Sequence, residues 1–383
     1  MQTEQRALVV GLSANVLESL DATPRPDGIG VYTQALEHAL IGRGTIVRRV
    51  GAPTRAGVRF VRPKDAALSF PLPLKYMAAA CAALRIAVPL PAAIEREIDV
   101  YHATDYIVPR LARKPVVATL YDAIPLVRPE WANQRWRSLK NRLLRQWAQS
   151  ADRVIAISHA AGQDLVEHYG IAPARMRVVP LGVSERWFDK PSDARIREAL
   201  DRFRLQPGFI LHVGTLQPRK NVDALVTAYE LLPRAIRDER QLVLVGKYGW
   251  GVPKLRARLA GLRQAGRVAW LDYVDRDDLH ALYHAAGMFV FPSLSEGFGL
   301  PILEAFASGL PVIASGLPAL REVAGPDVVW LEPSTAEAIA DGITAMHRSG
   351  MDPARIAANR ERAARFDWDA CATRTLEVYR ELV

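Results

Sequence analysis

Short apolar runs rich in β-branched residues alternate along the whole chain with longer amphipathic stretches. That alternation is the pattern of parallel strands covered by helices. In the first half it predicts strands over residues 7–12, 45–50, 98–102, 115–120, 153–158 and 176–180. In the second half it predicts strands over 209–214, 241–246, 268–272, 287–292, 311–315 and 328–331. Each set suffices for a complete doubly wound sheet, so the expected class is α/β with two such domains. No internal repeat or low-complexity segment interrupts the pattern. The boundary is expected after Val179-Pro180-Leu181-Gly182-Val183, where a strand ends in Pro and Gly before a polar stretch. This gives domains over 1–183 and 184–366, with a last helix, 367–383, expected to pack back onto the first.

Composition agrees with two domains: 383 residues, half of them apolar, exceed one ordinary core. With 24% charged residues and scattered Pro and Gly, long disorder is not expected. Cys81 and Cys371 lie in opposite halves, which excludes a disulfide framework or a Cys-rich metal site and suits a reduced, cytoplasmic setting. The apolar run 7–12 is shorter than a signal-peptide core and lacks a basic leader, so it reads as a first strand. The most apolar longer stretch, 77–93, is interrupted by Arg85, Pro89 and Pro91 and is not expected to span a bilayer.

The net charge of +9 is unevenly placed. Residues 1–183 hold 24 Lys and Arg against 15 Asp and Glu, whereas 184–383 hold 26 of each. Such asymmetry suggests that the first half meets something anionic. No helix-turn-helix, zinc-finger or RNA-binding signature supports nucleic acid as that partner. A helix expected over 131–149 carries Arg135, Arg137, Lys140, Arg142 and Arg145 with Trp131, Trp136 and Trp147. It can be a membrane-surface helix. The spacing of Trp136, Leu139, Leu143 and Trp147 favours a core-facing stripe instead.

The strongest chemical signal is FPSLSEGFGLPILEAFASGLPVIAS, residues 291–315. A buried strand enters a loop containing Gly297 and Gly299, and a helix begins with Pro301 near its first position. The backbone N–H groups of a helix start can bind phosphate or sugar hydroxyls, and glycines allow close approach. Glu296 in the loop and Glu304 about one turn into the helix can each accept hydrogen bonds from vicinal hydroxyls. A carboxylate favouring the positive helix end would account for Glu304 but leaves Glu296 without a reason.

Glu296, seven intervening residues and Glu304, followed by AFASGLPVIAS, resemble the signature of glycosyltransferase family 4. The resemblance extends along nearly the whole chain. It implies the GT-B fold, two Rossmann-like domains facing each other across a cleft, and transfer with retention of anomeric configuration. By resemblance, Glu304 binds the nucleotide ribose and Glu296 contacts the donor sugar. Backbone amides of Gly297, Phe298, Gly299 and Leu300 would hold sugar hydroxyls and phosphate.

A second signal is LHVGTLQPRKN, residues 211–221. A strand ends near Gly214, and Asn221 is a good N-cap for the helix that follows. Arg219 and Lys220 then stand at the C-terminal edge of a sheet, where ligands bind in such folds. Fixed cations there can stabilise a diphosphate as it leaves. The segment resembles the family's diphosphate-binding Arg and Lys. Many members place their Arg directly after the strand glycine, where this chain has Thr215, so the carry-over is firmer for Lys220 than for Arg219.

Gly28-Ile29-Gly30-Val31-Tyr32 lacks the third glycine of a dinucleotide fingerprint. Its place between the first strand and first helix is similar to the family's N-domain glycine loop, which approaches the donor phosphates; a plain turn is the alternative. His102 closes one expected strand, and Tyr121-Asp122 follows another. Family members often carry His-Asp where this chain has Tyr121-Asp122, the histidine touching the donor sugar. Either His102 or Tyr121 can take that part, and Asp122 can position an acceptor hydroxyl or cap a turn.

The resemblance assigns the acceptor to the N-terminal domain and the nucleotide-sugar donor to the C-terminal one. A basic N-terminal half suits a saccharide on a lipid diphosphate, or peripheral contact with the cytoplasmic face of the inner membrane. No metal is expected, since GT-B enzymes generally stabilise the leaving group without one. The wider sequence resembles bacterial polysaccharide and O-antigen mannosyltransferases, which makes GDP-mannose the expected donor. A nucleotide-sugar epimerase of the same fold and a non-catalytic sugar-nucleotide-binding subunit are the alternatives. The Glu296/Glu304 spacing argues against the first, and the joint presence of Glu296, Glu304, Arg219 and Lys220 against the second.

Overall fold

The computed structural model describes residues 6–15, 17, 28–52, 68–70, 72–84, 86–128, 131, 137–249, 251, 253–264 and 266–383. The chain divides into two compact units, Met1–Gly182 with Trp368–Val383, and Val183–Asp367.

In the first unit the strands are β1 (Val9–Ser13), β2 (Ile46–Gly51), β3 (Leu68–Ser69), β4 (Val100–Ala103), β5 (Val116–Leu120), β6 (Arg153–Ala156) and β7 (Met176–Val178). All pair in parallel, in the order β3-β2-β1-β4-β5-β6-β7. Strands β1, β4 and β5 are buried at every position, as expected for central parallel strands with helices on both faces. Six of the seven fall on the expected runs. The seventh, β3, has two residues, too few for any periodicity to announce.

The C-terminal helix Trp368–Arg380 belongs to this first unit. Its Cys371, Ala372, Leu376 and Tyr379 are buried, and the Trp368 ring lies 6.1 Å from that of Tyr32. Arg43, just after helix Gly28–Gly42, pairs with Asp369, and Arg153 and Arg177 both reach Glu381 at 2.7 Å.

The second unit holds β8 (Ile210–Val213), β9 (Leu242–Val245), β10 (Val268–Leu271), β11 (Met288–Phe291), β12 (Val312–Ser315) and β13 (Val329–Leu331). These pair in parallel in the order β10-β9-β8-β11-β12-β13, each on an expected run. Its core gathers Ile210, Leu242, Leu244, Val290 and Ile313 from the strands with Leu225, Val226, Ile339 and Ile343 from helices.

Strand order fixes where each sheet can hold a ligand. From β1 the chain moves outward to β2 and β3, then returns to β4 on the other side of β1. From β8 it moves outward to β9 and β10, then returns to β11. Each reversal parts the loops that follow the two central strands and opens a crevice at their C-terminal ends.

The basic helix is described from Arg137 to Gln149. Trp147 is buried and Leu143 packs on the core, but Leu139 is exposed, so the expected stripe is narrower than its spacing implied. Arg135 and Trp136 lie outside the described residues. Among the described residues no helix is long and apolar enough to cross a membrane.

Candidate active site

The two segments with the strongest chemical signals meet at the switch point of the second sheet. One follows β8 and runs through a single 3-10 turn, Pro218–Lys220. The other follows β11 and runs through Glu296 to the helix Leu300–Ala307. The Leu294 N–H donates to the Arg219 carbonyl at 2.7 Å, tying the two loops together. Across them the Glu296 carboxylate receives Lys220 Nζ at 2.5 Å on Oε1 and Arg219 Nη1 at 3.2 Å on Oε2.

All three charges are largely withdrawn from water, with side-chain exposures of 8% for Lys220, 10% for Glu296 and 24% for Arg219. Burial alone would raise the Glu296 pKa. The adjacent Lys220 and Arg219 outweigh it and hold the carboxyl down at about 2. Glu296 is therefore ionised at any working pH. Its stabilising contribution is fully present above the ordinary carboxylate range and is lost only as pH falls through about 2. The Lys220 ammonium also lies 4.6 Å from the centre of the Phe291 ring, a cation–π contact.

Two glycines shape this edge. Gly299 caps the helix at φ 100°, and a Cβ there would lie 2.5 Å from Leu320 Cδ2. Only glycine allows the backbone to turn so tightly before Pro301. The first N–H groups of that helix have no acceptor within it and can meet an anion. Gly246 ends β9 at φ 148° against the Gly214 carbonyl. Phe298 turns its side chain inward, 5.9 Å from the Phe366 ring, which leaves its backbone as the part a ligand can use.

Glu304, one turn into the helix, behaves differently from Glu296. Its carboxylate receives the Tyr283 hydroxyl at 3.0 Å. Burial raises its pKa to about 7, against the smaller lowering effect of the Tyr283 hydrogen bond and Arg276. Without a ligand this shift favours the protonated form. Its stabilising effect is complete below the ordinary carboxylate range and is lost as pH rises through about 7.

Asn221 departs from expectation. It adopts a left-handed conformation, φ 55°, and its side chain makes no capping hydrogen bond. Its Nδ2 donates instead to the Ser334 carbonyl at 2.8 Å, fastening the loop to the segment after β13.

In the first unit, His102 lies inside the fold. It is fully buried; Nδ1 lies 2.6 Å from the Tyr379 hydroxyl and Nε2 lies 2.8 Å from Thr119 Oγ1. Thr119 also bonds the Tyr32 hydroxyl at 2.8 Å, so one buried chain joins β4, β5, the first helix and the C-terminal helix. Burial lowers the His102 pKa to about 3 and keeps the ring neutral. Tyr121 is likewise committed, its hydroxyl donating to the Thr104 carbonyl at 2.8 Å. Asp122 Oδ1 accepts the Ile124 N–H at 3.0 Å, the turn-capping option, and also the Tyr106 hydroxyl at 3.1 Å. Gly28 and Gly30 lie inside the first turn of helix Gly28–Gly42. The pair begins a helix there, and residues 18–27 before it lie outside the described residues.

Sequence reasoning passed over a contact across the first sheet's switch point. Asn15, just beyond β1, donates to Asp105, just beyond β4, at 3.3 Å. Two Asp-x-Asp triplets, 275–277 and 367–369, serve helix capping and ion pairing. Asp275 accepts the N–H groups of Asp277 and Asp278, Asp277 pairs with Arg186, and Asp369 pairs with Arg43. Among the described residues no group of three or more His, Cys, Asp or Glu could hold a metal ion.

Comparison with known proteins now defines the class. Residues 26–187 match the model of Glycosyltransferase Family 4, and residues 196–363 match that of Glycosyl transferases group 1. The chain is 31% identical over 286 residues to O-antigen chain mannosyltransferase B of Escherichia coli, a match covering 74% of each protein. Among solved structures it is similar to sucrose-phosphate synthase from Thermosynechococcus elongatus, with TM-score 0.75 and 22% identity, covering 98% of this chain and 99% of that one. It is also similar to Anabaena Alr3699/HepE in complex with UDP and glucose, with TM-score 0.72 and 20% identity, covering 98% and 100%. The chain belongs to glycosyltransferase family 4 and has the GT-B fold. It is a glycosyltransferase.

Proposed function

We propose that this enzyme moves a hexose, mannose from GDP-mannose, with retention of configuration, onto a saccharide or lipid-diphosphate-linked saccharide in surface polysaccharide synthesis. The observation that carries the donor site is the meeting of Lys220, Arg219, Glu296 and the Gly299-capped helix at one sheet switch point. Likeness to the O-antigen mannosyltransferase supports mannose and the polysaccharide setting.

In this reading the donor diphosphate lies against Lys220, Arg219 and the amides of residues 297–300. The Glu296 carboxylate, kept ionised by its two cations, accepts from a hexose hydroxyl. Glu304 accepts from the ribose. As the bond from the hexose C1 to the diphosphate oxygen breaks, negative charge grows on that oxygen. Fixed positive groups stabilise it more than they stabilise the ground state. The acceptor oxygen bonds to C1 on the same face and its proton passes to the departing diphosphate. The acceptor is assigned to the first unit, whose basic surface includes the exposed Lys140, Arg142 and Arg145 and suits an anionic lipid or its diphosphate.

A panel of nucleotide sugars tests this by thermal shift, then by product mass with saccharide and lipid-linked acceptors. GDP-mannose is expected to give the largest shift and a product heavier by one hexose. Conversion of the donor to an isomer in the absence of any acceptor would instead mark an epimerase.

The raised Glu304 pKa gives this reading a pH dependence with a definite direction. The ionised carboxylate is the better acceptor for ribose hydroxyls, and it forms as pH rises through about 7. The donor KM is therefore expected to fall between pH 6 and 8, and the Glu304→Gln variant to lose that slope. A donor KM that rises over the same interval in the native enzyme would contradict the role.

A further inference from the structure

We propose that His212 is a positioning residue for the transfer, its Nε2 lone pair becoming a second acceptor for the Lys220 ammonium when the donor diphosphate is bound. The proposal rests on the reading that Lys220 meets the donor diphosphate.

His212 lies on β8 and is fully buried. Its Nδ1 stands 2.9 Å from the Val290 carbonyl of β11. A carbonyl oxygen only accepts, so Nδ1 carries the hydrogen and Nε2 is left as a lone pair. That Nε2 is buried without a hydrogen-bond partner, a costly arrangement in a protein interior. Its neighbourhood explains the arrangement. A Cβ built on Gly214 would lie 3.5 Å from His212 Nε2 and 3.4 Å from Lys220 Cε, so both side chains border the one small space beside that glycine. Phe291 forms the shared wall, stacked on the His212 ring at 6.1 Å and 26° and facing Lys220 Nζ at 4.6 Å.

An ammonium has three hydrogens to place. Glu296 takes one, at 2.5 Å, and a diphosphate takes another. If the third turns to Nε2, the orphaned acceptor is satisfied and the remaining hydrogen is aimed rather than free to rotate. Burial and the nearby Lys220 charge hold the imidazole neutral, at about 4, which keeps the lone pair in place across the working range. A histidine present only to fill the core would need its Nδ1 bond and its stacked ring, and nothing from Nε2.

The test separates these roles. His212→Phe keeps the ring and its stack on Phe291 but removes the Nε2 acceptor together with the Nδ1 donor to Val290; His212→Gln restores an acceptor oxygen at similar reach, and Gly214→Ala leaves the Nδ1 bond in place. In His212→Phe, kcat is expected to fall roughly tenfold with the donor KM within about twofold, as for a misaimed charge. His212→Gln is expected to recover most of kcat. Gly214→Ala is the second variant, since a methyl at ordinary contact distance would separate Lys220 from Nε2 without backbone strain. It should show the same kcat loss with an unchanged melting temperature. Native kcat in His212→Phe or in Gly214→Ala overturns the proposal, as does a kcat in His212→Gln no higher than in His212→Phe. Should Lys220→Ala itself keep full turnover, the donor reading fails; native kcat at position 212 with an inactive Lys220→Ala refutes the His212 role alone.

Discussion

Lys220→Ala is expected to lower kcat by about 10²–10³-fold, the usual effect of deleting one preorganised charge aimed at a leaving group. Lys220 is 7% exposed and held on one side by Glu296. Its field on a bound diphosphate is therefore little screened by water. Arg219 remains in the variant and keeps part of the attraction, so donor binding should suffer less than turnover. The circular dichroism spectrum should be unchanged, because the alanine leaves β8, β11 and their cores intact. Melting temperature should drop modestly, since Glu296 then loses its shorter ion pair and keeps the longer one from Arg219 at 3.2 Å. Steady-state kinetics with donor and acceptor both varied measures the effect. Full turnover in a folded Lys220→Ala protein would remove the cation from the mechanism.

The second large effect is on stability. Gly246→Ala is expected to cost about 3 kcal/mol, combining a backbone conformation closed to other residues with a direct collision. Gly246 has φ 148°, and its Cβ would fall 2.1 Å from the Gly214 carbonyl oxygen. A rigid backbone atom cannot swing aside as a side-chain tip can. The displaced segment is also the one that leads into Arg219 and Lys220, so activity should fall in any variant that still folds. Chemical denaturation compares it with Gly214→Ala, which meets only ordinary contacts. Equal midpoints for the two variants would show that this close approach is not rigid.

Much of the fold was legible because buried parallel strands write themselves as unbroken apolar runs. The segments LVLV of β9 and MFVF of β11 are buried at every residue. The two residues of β3 were invisible because no periodicity fits in so short a span. The loops carrying Arg219, Lys220, Glu296 and Gly299 could be found because glycines, charges and helix starts occur there at telling spacings. What spacing cannot show is who bonds to whom. Nothing local to residue 102 announces that Tyr379, 277 positions later, will take its Nδ1, or that Asn221 will spend its side chain on Ser334 rather than on its own helix. His212 was passed over for the same reason. Its neighbours in sequence are apolar, and its interest arises only from Val290, Phe291 and Lys220 in space.

The most direct measurement is a crystal structure of the full chain with a nucleoside diphosphate bound. The phosphates are expected beside Lys220 and Arg219 at the start of helix Leu300–Ala307, with ribose hydroxyls on Glu304. A diphosphate seated away from these groups, for example beyond β1 and β4 near Asn15 and Asp105, would contradict the assignment of the donor to the second unit.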